Sequence, residues 1–466
     1  MATKPLLLIP VENQVRELDP KLLLACVAAR RGFSSVIGSR REIEFNISSF
    51  PKSVYLSKSM TVHSAMLFQI ASKFGHRIMA WDEEALVHLP PETYFSRRLC
   101  LASIKYVSHL FAWGQDNADL WRQYPGLPNG TPIHVTGNPR GDMLRPEMRD
   151  FFAEEVAELR KTYGDFILVN TNFNHVNAFG PSLNLFQPAL MPGKKPKFGR
   201  AARGMSREYA AGLRDFKQAV FEDFKRLIPI LEKSFPDFNI VVRPHPTESQ
   251  EIYHKIAAQC ERVKVTNEGN VVPWLLATKA LVHNSCTTGL EAYVMGVPAV
   301  TYRATVNEDY DHGFYRLPNL LSHQCFDFEE LRLLIEKILA GELGAADGAE
   351  RQELIDYHLA GIHGPLACEL MVNAIEKIVT DGSGPAKPSL RDRLDRWWME
   401  KGLRLVKRCK YYLPGSHNRP EFQKHRYPGI SREELRQRIS RFQQLLGDNG
   451  EIQVEEMCEQ IFRISV

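Results

Sequence analysis

The chain has 466 residues, 44% of them apolar and 24% charged, with a formal net charge of +4. Such a composition excludes a fibre or a disordered chain, and the length exceeds one ordinary core, so two domains and an appendage are expected. So small a charge, with no zinc-finger, RNP-type or helix-turn-helix signature, argues against a nucleic-acid partner.

The opening stretch MATKPLLLIPVENQ has an apolar run broken by Pro10 and followed by Glu12. It is too short for a signal peptide's apolar region and predicts a buried strand over 6–11. A helix is predicted over 21–30, with Leu22, Leu23, Cys26 and Val27 on one face. Strands follow over 35–38, 53–56, 77–81, 109–113 and 133–135, with a helix over 65–74. After a helical stretch at 149–163 the pattern restarts. Strands are predicted over 165–169, 239–243, 263–265, 280–283 and 299–302, and helices over 209–235, 250–260, 271–277 and 288–295. Strand–helix alternation of this kind predicts parallel sheets with helices on both faces. The expected architecture is α/β, with two Rossmann-like doubly wound domains facing a cleft, over 1–148 and 149–378, and a basic helical C-terminal extension over 379–466.

Residues 179–205 are rich in Gly and Pro and carry Lys194, Lys195, Lys197, Arg200 and Arg203; so long a basic loop is either disordered in the empty protein or a lid that contacts phosphate. The eight cysteines are spread singly with no CxxC pair, which fits reduced thiols in the cytoplasm rather than disulfides or zinc. No run of about 18 apolar residues is present, so no transmembrane helix is expected. Beyond the linker GSGPAKPS, residues 387–426 hold twelve Lys/Arg against four acids, a net +8. Leu394, Trp398, Leu405 and Cys409 form a helical stripe there. This segment either lies against anionic lipid as a peripheral membrane contact or packs its stripe on the body. A last helix is predicted over 432–446, opened by the cap signature at Ser431.

In open α/β sheets ligands sit beyond the carboxyl ends of the strands. Two motifs fall there. RPHP, Arg243 to Pro246, follows the run FNIVV; its prolines stiffen the backbone, its arginine suits a phosphate or carboxylate, and its histidine can donate to a phosphoryl oxygen. Asn284, Ser285, Cys286, Thr287, Thr288 and Gly289 follow the next strand but one and open a helix that contains Glu291. Small hydroxyl residues at a helix start either cap the helix or present donors to a phosphate. Two such motifs about forty residues apart favour a nucleotide mono- or diphosphate. Asn172 and Asn174, after the strand over 165–169, would meet the same phosphate.

RPHP and the stretch VTNEGNVVPWLLATKALVHNSCTTGLEAYVMGVPAVTY resemble the nucleotide-binding half of GT-B glycosyltransferases that build bacterial surface polysaccharide. They are similar to the RxHP and Ser/Thr motifs of capsule-type Kdo transferases, bacterial sialyltransferases and CDP-glycerol polymerases. With LLLIPVENQVRELD, GFSSVIGSRREI, MAWDEEAL, FAWGQDNADLW and VTGNPRGDML, residues 5–375 resemble the surface carbohydrate biosynthesis protein family. The resemblance implies that Arg243 and His245 bind the donor phosphate, with Ser285, Thr287 and Thr288 holding it from the helix end. It further implies that Glu291 grips a ribose and that 267–274 frame the base. A CMP-linked donor such as Kdo is the preferred implication.

The stretch MAWDEEALVHL sets Asp82, Glu83 and Glu84 at a strand end. Adjacent acids repel one another and can raise a pKa toward that of a working base; the other reading is a solvated acidic turn. Glu83 or Glu84 is the expected base, with Asp82 in support. Arg16 and Arg40, on neighbouring strand-end loops, are candidate ligands of an anionic glycan or lipid-linked acceptor. Asn138 and Arg140, in GNPRGD, are expected to shape the hinge. No HExxH motif is present and no DxD pair of the kind that holds a divalent metal in other glycosyltransferases is identified, so neither a metal nor another cofactor is expected. The alternatives are a CDP-glycerol glycerophosphotransferase, a nucleotide-sugar epimerase or hydrolase, and a silent scaffold held at the membrane.

Overall fold

The structure, a computed structural model, describes residues 4–188, 196–311, 315–380, 398, 401, 402, 405, 412 and 419–466. Lys194, Lys195, the linker at 382–389 and most of the basic segment 387–426 lie outside the described residues, so the expected stripe does too, apart from Trp398 and Leu405, which are exposed. The described residues divide into two compact units. One draws on Met1–Leu86, Arg98–Phe151 and Asp356–Val466, the other on Val87–Arg97 and Phe152–Ile355.

In the first unit six strands run parallel: β1 (Leu6–Val11), β2 (Ser35–Ser39), β3 (Ser53–Ser57), β4 (Arg77–Ala80), β5 (Val107–Ala112) and β6 (Ile133–Val135), in the order β2-β1-β3-β4-β5-β6. Short apolar runs such as LLLIPV suit strands buried on both faces. The helix Gln14–Arg30 is buried continuously from Glu17 to Ala29, because it packs on the sheet and also against the helices Ala367–Thr380 and Arg432–Leu445. Its charged residues are therefore paired: Asp19 accepts from Arg438 at 2.5 Å.

Residues 356–378, assigned from the sequence to the second half, belong to the first unit. Ala360 N–H donates to Trp113 O at 2.7 Å. The Asp142 carboxylate accepts the N–H groups of Ala367 and Cys368 at 2.7 and 2.8 Å. Gly137 has φ +79°, and a Cβ there would lie 2.2 Å from Ala360 O, so only glycine lets the two segments meet.

The second unit contains β7 (Phe166–Thr171), β10 (Asn239–Pro244), β11 (Val263–Val265), β12 (Ala280–His283), β13 (Ala299–Tyr302) and β14 (His323–Cys325), all parallel, in the order β11-β10-β7-β12-β13-β14. The short strands β8 (Phe186–Gln187) and β9 (Lys197–Phe198) form a separate antiparallel ribbon within the loop read as a lid or as disorder. The helix Arg207–Ser234 packs Val220, Phe224, Leu227 and Leu231 into the core with Ile167, Val169 and Val242. Strand order reverses between β7 and β12, where adjoining loops leave on opposite faces and open a crevice.

Residues 453–465, expected within a helical extension, form strands instead: β15 (Gln453–Cys458) and β16 (Ile461–Ser465). β16 pairs antiparallel with β2 and covers an edge that would otherwise present unpaired N–H and C=O groups.

Candidate functional site

The carboxyl ends of β7 and β12 bring together several of the residues singled out in the sequence. Asn170 stands in register between Arg243 of β10 and His283 of β12. Asn172 N–H donates to Asn284 Oδ1 at 2.8 Å, which ties the two loops across the reversal point. Asn170, Asn172 and Asn284 are all buried, yet Asn170 Oδ1, Asn172 Oδ1 and Asn284 Nδ2 have no hydrogen-bond partner. Three buried polar atoms left unpaired at one place is a destabilising arrangement unless a ligand completes it.

Beyond Asn284 the chain turns sharply. Ser285 takes φ +58°, a left-handed conformation that strains a residue with a Cβ and is concentrated at functional sites. Cys286 occupies the N-cap of the helix Thr287–Met295, and its side chain makes no regular capping hydrogen bond. The reading of Ser285, Thr287 and Thr288 as a simple cap is therefore not what the fold does with them. Thr288 and Glu291 are buried in the first turns of the helix, and Ser285 and Thr287 are half-buried. Behind this loop His283 is fully buried, its Nε2 2.9 Å from Ser322 Oγ and its Nδ1 accepting from Cys286 N–H at 3.2 Å. Burial pushes its pKa down to about 3. Gly289 is required by that contact, since a Cβ there would lie 2.5 Å from His283 Nε2.

The loop after β10 is held by Glu248, which the sequence reading did not single out. Its buried carboxylate accepts from His245 N–H at 3.1 Å, Thr171 Oγ1 at 3.1 Å and Tyr253 OH at 2.7 Å. His245 Nδ1 accepts from Thr247 N–H at 3.2 Å, which places the ring proton of the neutral imidazole on Nε2, the donor that the motif requires. Arg243 is placed differently from the expectation of a direct phosphate ligand. Its two terminal nitrogens donate to Glu268 O and Gly269 O at 2.7 and 2.6 Å, and its guanidinium stacks 5.2 Å from the Trp274 ring centre. It holds the loop 266–270 against β10.

In the first unit the acidic triplet is divided among separate partners. Asp82 receives a two-pronged contact from Arg98, with Nε 2.9 Å from Oδ2. Glu83 is buried, accepts from Trp81 Nε1 at 2.7 Å and lies 3.9 Å from Arg140 Nε. Glu84 pairs with Arg16. Desolvation would raise the Glu84 pKa, but the Arg16, Arg98 and Arg140 guanidinium groups outweigh it and hold the carboxyl well below the usual range. At Glu84 the elevation expected from crowded acids is thus reversed, because the side chains of the triplet diverge and each meets a cation. Arg40 likewise is paired, with Glu44 at 2.6 Å and Glu12 at 3.0 Å. Lys58 joins the same group through Glu12 at 2.9 Å and through buried Glu17, and Arg426 also reaches Glu12. Asn138 caps the turn Pro139–Asp142 through Arg140 N–H at 3.0 Å.

The structure thus gathers Asn172, Asn284, Ser285, Thr287 and Thr288 at the β7/β12 reversal. It gathers Arg16, Asp82, Glu83, Glu84 and Arg140 at one end of the first sheet. Among the described residues no group of three or more His, Cys, Asp or Glu is placed to hold a metal, and no helix is long and apolar enough to cross a membrane. The residues missed were Glu248, His283 and Asn170. Glu248 directly follows the RPHPT run, so its place in the sequence was the available signal.

No protein-family model matches the chain, and no curated protein matches it in sequence. Among solved structures, the wall teichoic acid polymerase TagF soaked with CDPG aligns at TM-score 0.48 and 10% identity, over 82% of this chain and 90% of that one. A putative UDP-N-acetylglucosamine 2-epimerase from Listeria monocytogenes aligns at TM-score 0.48 and 13% identity, over 83% and 99%. The UDP-GlcNAc 2-epimerase from Neisseria meningitidis, bound to UDP-GlcNAc, aligns at TM-score 0.43 and 12% identity, over 81% and 99%. Likeness at this level assigns no activity to the chain.

Proposed function

We propose that the chain is a metal-independent glycosyltransferase of the GT-B type, acting in bacterial surface polysaccharide synthesis in the cytoplasm or at the inner face of the membrane. The second unit binds a nucleotide-activated sugar, and the first carries the groups that serve a glycan or lipid-linked acceptor. The observation that supports this reading is the β7/β12 reversal, where the start of the helix Thr287–Met295 meets the unpaired Asn170 Oδ1, Asn172 Oδ1 and Asn284 Nδ2. A phosphate accepts from such a helix end and from the Asn284 amide, while the asparagine oxygens suit hydroxyl groups of the ribose or sugar.

In transfer, the bond from the anomeric carbon to the phosphate oxygen breaks and its electron pair leaves with the nucleotide. Donors fixed on that phosphate stabilise the leaving group. Glu83 takes the proton of the attacking hydroxyl, with Asp82 in support. The preference for a CMP-linked ulosonic acid such as Kdo rests on the RxHP resemblance alone.

Thermal stabilisation by CMP, CDP, UDP and GDP, at matched concentration and without metal, tests the reading. Selective stabilisation by CMP is expected. Stabilisation by CDP alone would place glycerol phosphate transfer ahead, and UDP or GDP selectivity would overturn the cytidine preference. No response from a folded protein would overturn nucleotide binding.

A further inference from the structure

Lys217 lies in the middle of the helix Arg207–Ser234 and is only 3% exposed. Its ammonium sits 3.4 Å from the centre of the Tyr315 ring. Among the described residues it has no hydrogen bond and no carboxylate partner. Tyr315 OH lies 3.2 Å from His175 Nδ1, on the loop that follows β7. Lys217 also acts electrostatically on the Cys286 thiol, at the helix start, and on His175, which in turn feels His245. The ammonium is therefore in the neighbourhood of the loops that follow β7 and β12.

A structural role does not account for this residue. An aromatic face returns on the order of 2 kcal/mol to a desolvated cation, whereas burying an unpaired ammonium costs several. A methionine would fill the same space without that penalty. Among the described residues no counter-charge comes from the surroundings either. Burial pushes the Cys286 thiol and the Tyr315 phenol up, and it pushes His175 down to about 3, helped by Lys217, Arg97 and His245. All three are thus uncharged at neutral pH. Burial alone lowers Lys217 itself to about 7, so in the empty site it is poised to take up a proton when an anion arrives.

We propose that Lys217 is a phosphate-binding residue: its ammonium neutralises a phosphate group of the nucleotide seated at the start of the helix Thr287–Met295. This rests on the nucleotide-binding reading above and adds to it the cation that the site lacks among Asn172, Asn284, Ser285 and Thr288.

Calorimetric titration of wild type and Lys217→Met with CMP, CDP and inorganic phosphate tests it. The variant is expected to melt no lower than wild type when empty and to lose at least tenfold in affinity for the nucleotide that wild type binds. Unchanged affinity would overturn the role of Lys217 and leave the nucleotide reading in place. If inorganic phosphate binds in a Lys217-dependent way and no nucleotide binds more tightly, the anion site stands and the nucleotide reading fails. Should the variant not fold, wild-type binding at pH 8 in buffers of different ionisation enthalpy decides. A residue titrating near 7 takes up about 0.9 proton per bound phosphate, and no uptake would overturn the proposal.

Discussion

Asn284 Oδ1 accepts the backbone N–H of Asn172 at 2.8 Å, while its own Nδ2 stays unpaired. One amide thus joins two loops and keeps a donor in reserve. Asn284→Ala removes both and leaves a buried N–H unsatisfied, with an expected loss of about 1–3 kcal/mol in denaturant unfolding. Asn284→Asp keeps the acceptor and replaces the donor with a negative oxygen. Near-native stability with abolished nucleotide binding is expected for Asp; equal nucleotide affinity in Asp and wild type would remove Nδ2 from the site.

Ser285 is held at φ +58°. Glycine adopts this conformation without the steric penalty, so Ser285→Gly is expected to gain about 1 kcal/mol of stability and to weaken nucleotide binding by the loss of the hydroxyl. Paired melting and binding curves check both halves. A stabilised variant that binds as wild type does would assign the turn to loop geometry alone.

Glu83→Gln or Glu84→Gln is expected to leave nucleotide affinity within twofold and to abolish sugar transfer in at least one case. The measurement is single-turnover release of nucleotide from the donor. Full turnover by both variants would reduce the triplet to an ion-paired brace for Arg98, Arg140 and Arg16.

Glu12 titrates at about 2 when folded: burial would raise its pKa, but Lys58, Arg40 and Arg426 more than offset it. In the unfolded chain a glutamate carboxyl titrates near 4.5. The stabilisation is therefore complete above about pH 4.5 and is lost as pH falls through 2, amounting to at most about 3 kcal/mol. Unfolding free energies measured from pH 7 to pH 2.5 should show a smaller acid slope in Glu12→Gln than in wild type. Identical slopes would mean that the cluster is screened by solvent.

Much of the fold was legible in the chain itself. Runs such as LLLIPV, FILVN and NIVVRP are apolar over strand length and lie between helical periodicities, and the local pattern alone dictates buried parallel strands. The strand-end positions of RPHP and of NSCTTG followed directly, because a motif next to an apolar run needs no distant partner to be placed there. The hydrogen bonding of Glu248 to the RPHP loop is also local, five residues or fewer from His245 and Tyr253, and was within reach of the sequence.

What only the tertiary structure decided involves partners far apart in the chain. Arg243 is a ligand candidate by residue type, and its occupation by the carbonyls of Glu268 and Gly269 depends on how β11 ends. The acids at 82–84 crowd one another in sequence, yet Arg16, Arg98 and Arg140 arrive from three other segments and reverse the sign of the field on Glu84. β16 adds to β2 across more than four hundred residues, and residues 360–368 join the first unit through Asp142 and Gly137. Lys217 falls on the buried stripe of its helix with Leu213, Val220 and Phe224, yet only the tertiary structure sets its ammonium against Tyr315, which reaches His175 on the loop after β7. Periodicity reports which face of an element is buried, and the charges that meet there are set by contacts that no local pattern encodes.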